Sequence, residues 1–239
     1  CLGETVNLSV PTGFTSYQWQ QNYNISSTSI ANPIVNPDTT TTYIATMTDM
    51  CGYQFTDTVI ITVDSNTTAE AGPNADICAG EATPLTGSGG TTYSWTPSAT
   101  LNDANIANPE ATPNTTTTYF LTTTNASGCM DTDSVTVTVN PLPAIDAGTD
   151  ASICAGETTS LNATGGITYS WSPAAGLSGA TISNPDATPG ATTTYTVTGT
   201  DINGCQNTDD VTVTIWPLPV ADAGADVTIC EGETTTLNG

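Results

Sequence analysis

Thr192-Thr193-Thr194-Tyr195-Thr196-Val197-Thr198-Gly199-Thr200-Asp201, then Ile202-Asn203-Gly204-Cys205, then Asp210-Val211-Thr212-Val213-Thr214-Ile215, reads as two antiparallel strands around a tight turn. In the first strand Tyr195 and Val197 fall on one face. Asn203-Gly204 is a strong hairpin signal, because both residues tolerate the positive φ that two-residue turns need. In the second strand Val211, Val213 and Ile215 alternate with Thr212 and Thr214. That period of two belongs to a strand with one face in a core and one in water.

Reading outward from this hairpin gives the rest of a module. Thr168-Tyr169-Ser170-Trp171-Ser172-Pro173 is a strand that puts Tyr169 and Trp171 on one face, and proline, which has no N–H to give a ladder, stops it. Before it, Thr158 to Ala163 with Leu161 is a strand between two turns, Ala155-Gly156-Glu157 and Thr164-Gly165-Gly166. A short first strand runs from Asp150 to Cys154. After Trp171, the stretch from Ala174 to Gly179 is a loop, and Ala180 to Ser183 is a short strand ending at Asn184-Pro185. Seven or so short strands with regular turns indicate a two-sheet sandwich. No segment has a helical apolar period of useful length.

The module recurs. Trp19, Trp95 and Trp171 lie 76 residues apart, as do Tyr43, Tyr119 and Tyr195, and Cys78, Cys154 and Cys230. A second cysteine series runs Cys51, Cys129, Cys205. A fixed period of this size marks a tandem array of small domains. The 239 residues divide into a first module at 1–66 that lacks its opening strand, a second at 67–141, a third at 142–217, and the start of a fourth at 218–239. The chain is expected to be a window on a longer array. Pro141-Leu142-Pro143 and Pro217-Leu218-Pro219 mark junctions and make stiff, extended connections. The junction at Asp64-Ser65-Asn66-Thr67-Thr68 lacks this pair and is looser. A module of this size buries a thin core, so a covalent staple is expected.

The chain has no Lys, Arg or His, and 23 Asp plus Glu give it a net charge of −23. An ordinary module of this length would carry roughly eight or nine Lys plus Arg. No salt bridge between side chains can form, and the charge opposes nucleic acid and anionic membranes. Cations and cationic polymers are the natural electrostatic partners, although a soluble surface without trypsin sites needs no partner at all. Polarity comes from hydroxyls and amides instead: there are 52 Thr. Seven cysteines at two phases imply disulfides and an oxidising, extracellular compartment.

The motifs resemble the PKD-like and immunoglobulin-like repeats of bacterial surface proteins. The elements that carry the resemblance are Ala223-Gly224-Ala225-Asp226, the Cys-x-Gly-Glu turn from Cys154 to Glu157, Tyr-x-Trp-x-Pro from Tyr169 to Pro173, Thr192 to Tyr195, Asn203-Gly204-Cys205 and the closing Val-Thr-Val-Thr strand. The likeness covers essentially the whole chain and extends to adhesins and long surface fibres of the type exported by Bacteroidota. The PKD hallmark Trp-Asp-Phe-Gly-Asp-Gly is absent, and Trp171-Ser172-Pro173 stands in its place. The resemblance implies tandem all-β sandwich modules on the cell surface, as a stiff stalk or filament, or else as an adhesin or carbohydrate-binding spacer array in a larger secreted protein. Its partners would be copies of itself, adjacent repeats or surface polysaccharide.

Two disulfide patterns fit. One joins cysteines within a module: Cys1 with Cys51, Cys78 with Cys129, Cys154 with Cys205. In an Ig-like sandwich, however, the turns carrying these cysteines lie at opposite poles. The other pattern crosses the junctions, Cys1 with Cys129 and Cys78 with Cys205, leaving Cys51, Cys154 and Cys230 to pair outside this window or between chains.

Catalysis is not expected, since the groups that usually move protons or stabilise oxyanions are missing. A carboxylate pair such as Asp209-Asp210 occurs in one module only. No cofactor is expected; calcium is the one candidate, with Asp201, Asn203 and the pair Asp146 and Asp150 offering oxygen ligands. Trp19, Trp95, Trp171, Tyr43, Tyr119 and Tyr195 are assigned to the core, against the alternative of sugar-stacking platforms. Thr39, Thr58 and Ser134 match an Asp-Ser/Thr pattern of O-glycosylation, and Asn-x-Ser/Thr occurs at Asn7, Asn24, Asn66, Asn114, Asn125 and Asn162.

Overall fold

The computed structural model describes residues 1–20 and 23–236. The last three residues of the fourth-module stretch, 237–239, lie outside the described residues. The chain forms two compact units, Cys1–Val139 and Asn140–Gly239. All regular structure among the described residues is β.

In the first unit the strands are β1 (Val6–Asn7), β2 (Ser16–Gln20), β3 (Ile34–Val35), β4 (Thr41–Thr48), β5 (Gln54–Ile61), β6 (Ala75–Cys78), β7 (Thr83–Pro84), β8 (Thr92–Thr96), β9 (Glu110–Ala111), β10 (Thr117–Thr124) and β11 (Met130–Asn140), the last crossing the boundary by one residue. They make a β1–β3 pair beside a β2-β4-β5 sheet, and a β7–β9 pair beside a β6-β11-β10-β8 sheet. Each set has its own core. One is built around Leu8, Trp19, Val35 and Tyr43, the other around Leu85, Trp95, Tyr119 and Val137.

The second unit contains β12 (Ala151–Cys154), β13 (Thr159–Ser160), β14 (Thr168–Ser172), β15 (Asp186–Ala187), β16 (Thr193–Thr200) and β17 (Gln206–Trp216). One sheet has the order β12-β17-β16-β14, and β13 pairs with β15. A bridge from Asp146 to Thr164 adds the opening segment to the β13 side. Leu161, Ala163, Ala187 and Ala147 face Trp171, Tyr195, Val197, Val211 and Val213, all of them buried. Two sheets closed over such a core, with the β16–β17 hairpin at its centre, are an immunoglobulin-like β-sandwich. The chain is thus an all-β tandem of Ig-like modules.

β16 shows why the sequence folds this way: Tyr195, Val197 and Gly199 point inward and are buried, while the threonines between them are only partly covered. Gly199 is required by contact, because a Cβ there would sit 2.2 Å from the Ile145 side chain. Two boundaries differ from the sequence expectation. Ala180–Ser183 is turn and bend, and the strand lies at Asp186–Ala187. The Ala180 and Ser183 carbonyls are taken instead by the N–H groups of Trp171 and Ala163. β17 begins four residues before Asp210, because it pairs with β16 from Gln206 onward, and its far end is held by β12, which lies parallel to it.

Candidate functional site

The cysteines lie at two kinds of turn, each built by a carboxylate or amide that captures backbone N–H groups. In the Cys-x-Gly-Glu turn the glutamate folds back: Glu81 Oε2 accepts the Cys78 N–H at 2.9 Å and Glu157 Oε2 accepts that of Cys154 at 3.0 Å. The glycine between them has φ of +91° at Gly80 and +88° at Gly156, which other residues adopt at a cost. The β16–β17 turn is organised by Asp201, whose Oδ1 accepts the N–H of Asn203 and of Cys205, both at 2.9 Å. Asn125 does the same for Ser127 and Cys129, at 3.0 and 2.9 Å.

Register decides what these cysteines can reach. Cys154 is the β12 partner of Trp216, the last residue of β17, whereas Cys205 immediately precedes the first, Gln206. The two are separated by the length of β17, roughly 33 Å. A disulfide spans about 7 Å at most between Cα atoms. Within the first unit, Cys1 is bonded to Cys129, with Cα atoms 5.5 Å apart and 128 residues between them in sequence. That bond ties the opening turn of the first core to the β10–β11 turn of the second. Cys129 is buried at 1% exposure. The adjoining Asn125 Nδ2 donates to the Ser65 carbonyl at 3.1 Å, and Thr67 donates to the Gly89 carbonyl. Cys78 and Cys205 each take part in a disulfide. Cys51, Cys154 and Cys230 are free and exposed.

Cys51 does not occupy the place of Cys129 and Cys205. Asp49 Oδ1 accepts the N–H of Cys51 at 2.8 Å and of Tyr53 at 2.9 Å, so Tyr53 stands where the other two turns carry cysteine. Cys51 sits at the tip, matching Ser127 and Asn203. The unequal steps of the series, 78 and then 76, were the signal for this offset.

The six aromatic residues assigned to the core are interior. Trp19, Trp95 and Trp171 are 1–3% exposed, and Tyr43, Tyr119 and Tyr195 are fully buried. Each indole N–H donates to a carbonyl eleven residues on, at Ile30, Ile106 and Ile182, at 2.9, 3.1 and 2.9 Å. No ring face is left for a sugar. Tyr43 donates to the Tyr23 carbonyl at 2.9 Å and Tyr195 to that of Ala175 at 3.0 Å; burial raises both phenols above the usual value. Thr39, Thr58 and Ser134 are exposed.

The candidate carboxylates serve the backbone. Asp146 Oδ1 accepts the Gly148 N–H and Asp150 Oδ1 that of Thr212, both at 2.8 Å. Asp201 is committed to its turn. Among the described residues no cluster of three or more His, Cys, Asp or Glu is placed to hold a metal. Asp209 and Asp210 point to opposite faces of β17, so they do not form a catalytic pair. Instead Asp209 Oδ2 accepts the Ala147 N–H at 2.8 Å, and Asp133 Oδ2 accepts that of Ala71, also at 2.8 Å. These aspartates pin the opening strand of a module to its last strand. Sequence reasoning missed that role, although Asp57, Asp133 and Asp209 share the 76-residue step. Among the described residues, no helix is long and apolar enough to cross a membrane.

No family model matches the chain, and no curated protein does. Among solved structures it is similar to extracellular domains 3–5 of Drosophila OTK, at 11% identity over 90% of this chain and 92% of that one, with a TM-score of 0.38. It is similar to the I9–I11 tandem of titin at 12% identity over 91% and 95%, with a TM-score of 0.38, and to the insect immune protein hemolin at 12% over 90% and 72%, with a TM-score of 0.36. Likeness at this level says nothing of what the chain binds or does.

Proposed function

We propose that this chain is part of a structural protein outside the cell, whose modules at 1–66, 67–141, 142–217 and 218–239 follow one another in a stiff stalk or filament on a bacterial surface. The observation that carries this reading is the Cys1–Cys129 bond, which joins one Ig-like core to the next across 128 residues. Cys78 and Cys205 lie 77 and 76 residues beyond Cys1 and Cys129, on the same two kinds of turn, so a second bond of this kind is proposed between them. A rod of this sort bears load through its junctions rather than through an active site. The acidic, threonine-rich surface keeps it soluble and gives trypsin-like proteases nothing to cut. Glycans at Thr39, Thr58 and Ser134 would add to that protection. No catalytic role is proposed, and the absence of Lys, Arg and His supports that reading.

Electron microscopy of the native material tests this. A regular fibre or straight stalk with an axial repeat of about 35–40 Å per module is expected from strand length. Compact particles or freely bending beads would contradict it.

A further inference from the structure

The first module carries a set of contacting side chains that its sibling modules lack. The Tyr23 hydroxyl donates to Asp38 Oδ2 at 2.6 Å, and Asn24 Nδ2 donates to the same oxygen at 3.4 Å. One 76-residue step on, these positions hold Ala99, Thr100 and Asn114; a further step on, they hold Ala175, Gly176 and Gly190. The backbone frame persists without the side chains: the Tyr23 carbonyl accepts the Tyr43 hydroxyl as the Ala175 carbonyl accepts that of Tyr195. The sandwich therefore does not require Tyr23, Asn24 and Asp38. Asn24 also takes a left-handed φ of +47°, where the third module places Gly176 at +82°. Asparagine tolerates that conformation, and the Asn24 carbonyl accepts the Asn36 N–H at 2.9 Å, which ties the turn to the segment leading to Asp38.

This clamp fixes an exposed ring at the wall of a cleft. Tyr23 is 43% exposed. With Thr39, Thr40, Thr41 and Thr42 it lines a cleft of about 410 Å³, within the usual size of a small-molecule site. The threonine loop is itself held: Thr41 Oγ1 donates to the Thr39 carbonyl at 2.7 Å, and Thr40 Oγ1 accepts the Val63 N–H at 3.1 Å. Thr39 and Thr42 are exposed. Among the described residues no charged side chain lines the cleft, so a bound amine would find no ion-pair partner in the wall. The net charge of −23 disfavours acidic or sulfated sugars. Hydroxyls both donate and accept, as those of a sugar do, and the face of an aromatic ring matches the apolar C–H face of a pyranose. An uncharged sugar is the occupant that fits all of these features.

We propose that this cleft holds a neutral sugar unit, stacked on the Tyr23 ring and hydrogen-bonded by the Thr39 and Thr42 hydroxyls. Asp38 and Asn24 are positioning residues, which act by holding Tyr23. The sugar has two sources of the same chemistry. It is a unit of a free neutral polysaccharide, or it belongs to a glycan carried on Thr39 itself. The second source rests on the glycosylation reading given above, and the first does not. Neither depends on whether the modules build a stalk, so the site and the stalk fail separately.

The test uses the whole chain in two forms. Made in cells that add no glycans, it is mixed in turn with cellohexaose, laminarihexaose and xylohexaose, and saturation-transfer NMR reads the contact. At least one hexaose is expected to bind. Tyr23→Ala is expected to weaken that binding about tenfold or more, while Tyr23→Phe keeps the ring and most of the binding. Thr42→Val, which keeps the shape and drops an exposed hydroxyl, is expected to weaken it severalfold with no change in melting. Taken from its native source, the chain is read by the mass of its Thr39 peptide and by nuclear Overhauser contacts between sugar protons and the Tyr23 ring. Hexaose binding by the bare chain assigns the cleft to a free polysaccharide. A Thr39 glycan in contact with the Tyr23 ring assigns it to the chain's own sugar. The proposal is overturned if no hexaose binds and native Thr39 carries no glycan, or one that does not touch Tyr23. Binding untouched by both Tyr23→Ala and Thr42→Val, or a response to arginine methyl ester with none to the hexaoses, would equally overturn it.

Discussion

The Asp133 carboxylate accepts the backbone N–H of Ala71 at 2.8 Å, fastening the opening strand of its sandwich to the last one. That bond, then the one from the Ser134 N–H, holds the Asp133 carboxyl below its ordinary value of 3.8, against a small opposing effect of burial. A depressed pKa means stability that is present above the unfolded value and is lost as pH falls through the folded one. Asp133→Ala leaves the Ala71 N–H without its partner and is expected to cost about 1–2 kcal/mol at neutral pH. The difference between wild type and variant should vanish as pH drops below the carboxylate range. Comparing the two chains by denaturant titration at each pH removes the general relief of charge repulsion that acid brings to both.

Thr123 offers the opposite sign. It is fully buried, and its hydroxyl oxygen finds no hydrogen-bond partner among the described residues. Thr123→Val keeps the shape and removes the stranded group, so a gain of about 1 kcal/mol in unfolding free energy is expected. A loss in the same titration would mean that the hydroxyl is satisfied.

Two glycines with nearly equal backbone angles should respond very differently. Gly165 has φ +89° and Gly204 +83°. A Cβ at Gly165 would sit 1.9 Å from the Ala144 carbonyl oxygen, whereas at Gly204 nothing lies within 4 Å. Gly204→Ala is expected to cost about 1–2 kcal/mol from conformation alone. Gly165→Ala must also push the opening strand away and should cost clearly more, read as a larger fall in melting temperature.

The Cys1–Cys129 bond closes a loop of 128 residues. Cys129→Ser is expected to lower the stability of the first unit by about 2–5 kcal/mol. Hydrogen exchange should localise the loss to the β10–β11 turn and the residues around Cys1, with the β16–β17 hairpin unchanged.

Much of this was legible in the sequence, for a physical reason. Strands with one buried face carry a period of two, so β14, β16 and most of β17 could be read from Trp171, Tyr195, Val197, Val211 and Val213. β15 could not, because two residues hold no period; Ala180–Ser183 looked equally suitable and became a turn. The first four residues of β17 were missed because a ladder to β16 holds them, not a pattern of their own. The role of Asp209 was hidden for a related reason: its partner Ala147 lies 62 residues away, and beside Asp210 it looked like a solvated pair. Cys51 misled in another way, since a shared residue type suggested a shared position that Asp49 and Tyr53 show to be two residues off.

The central claim is that disulfides cross from one module to the next. Peptide mapping under non-reducing conditions, with cleavage at Asp and Glu, tests it directly, since acidic residues separate all seven cysteines. The account predicts a peptide joining Cys1 to Cys129 and another joining Cys78 to Cys205. Peptides joining Cys78 to Cys129 or Cys154 to Cys205 would contradict it.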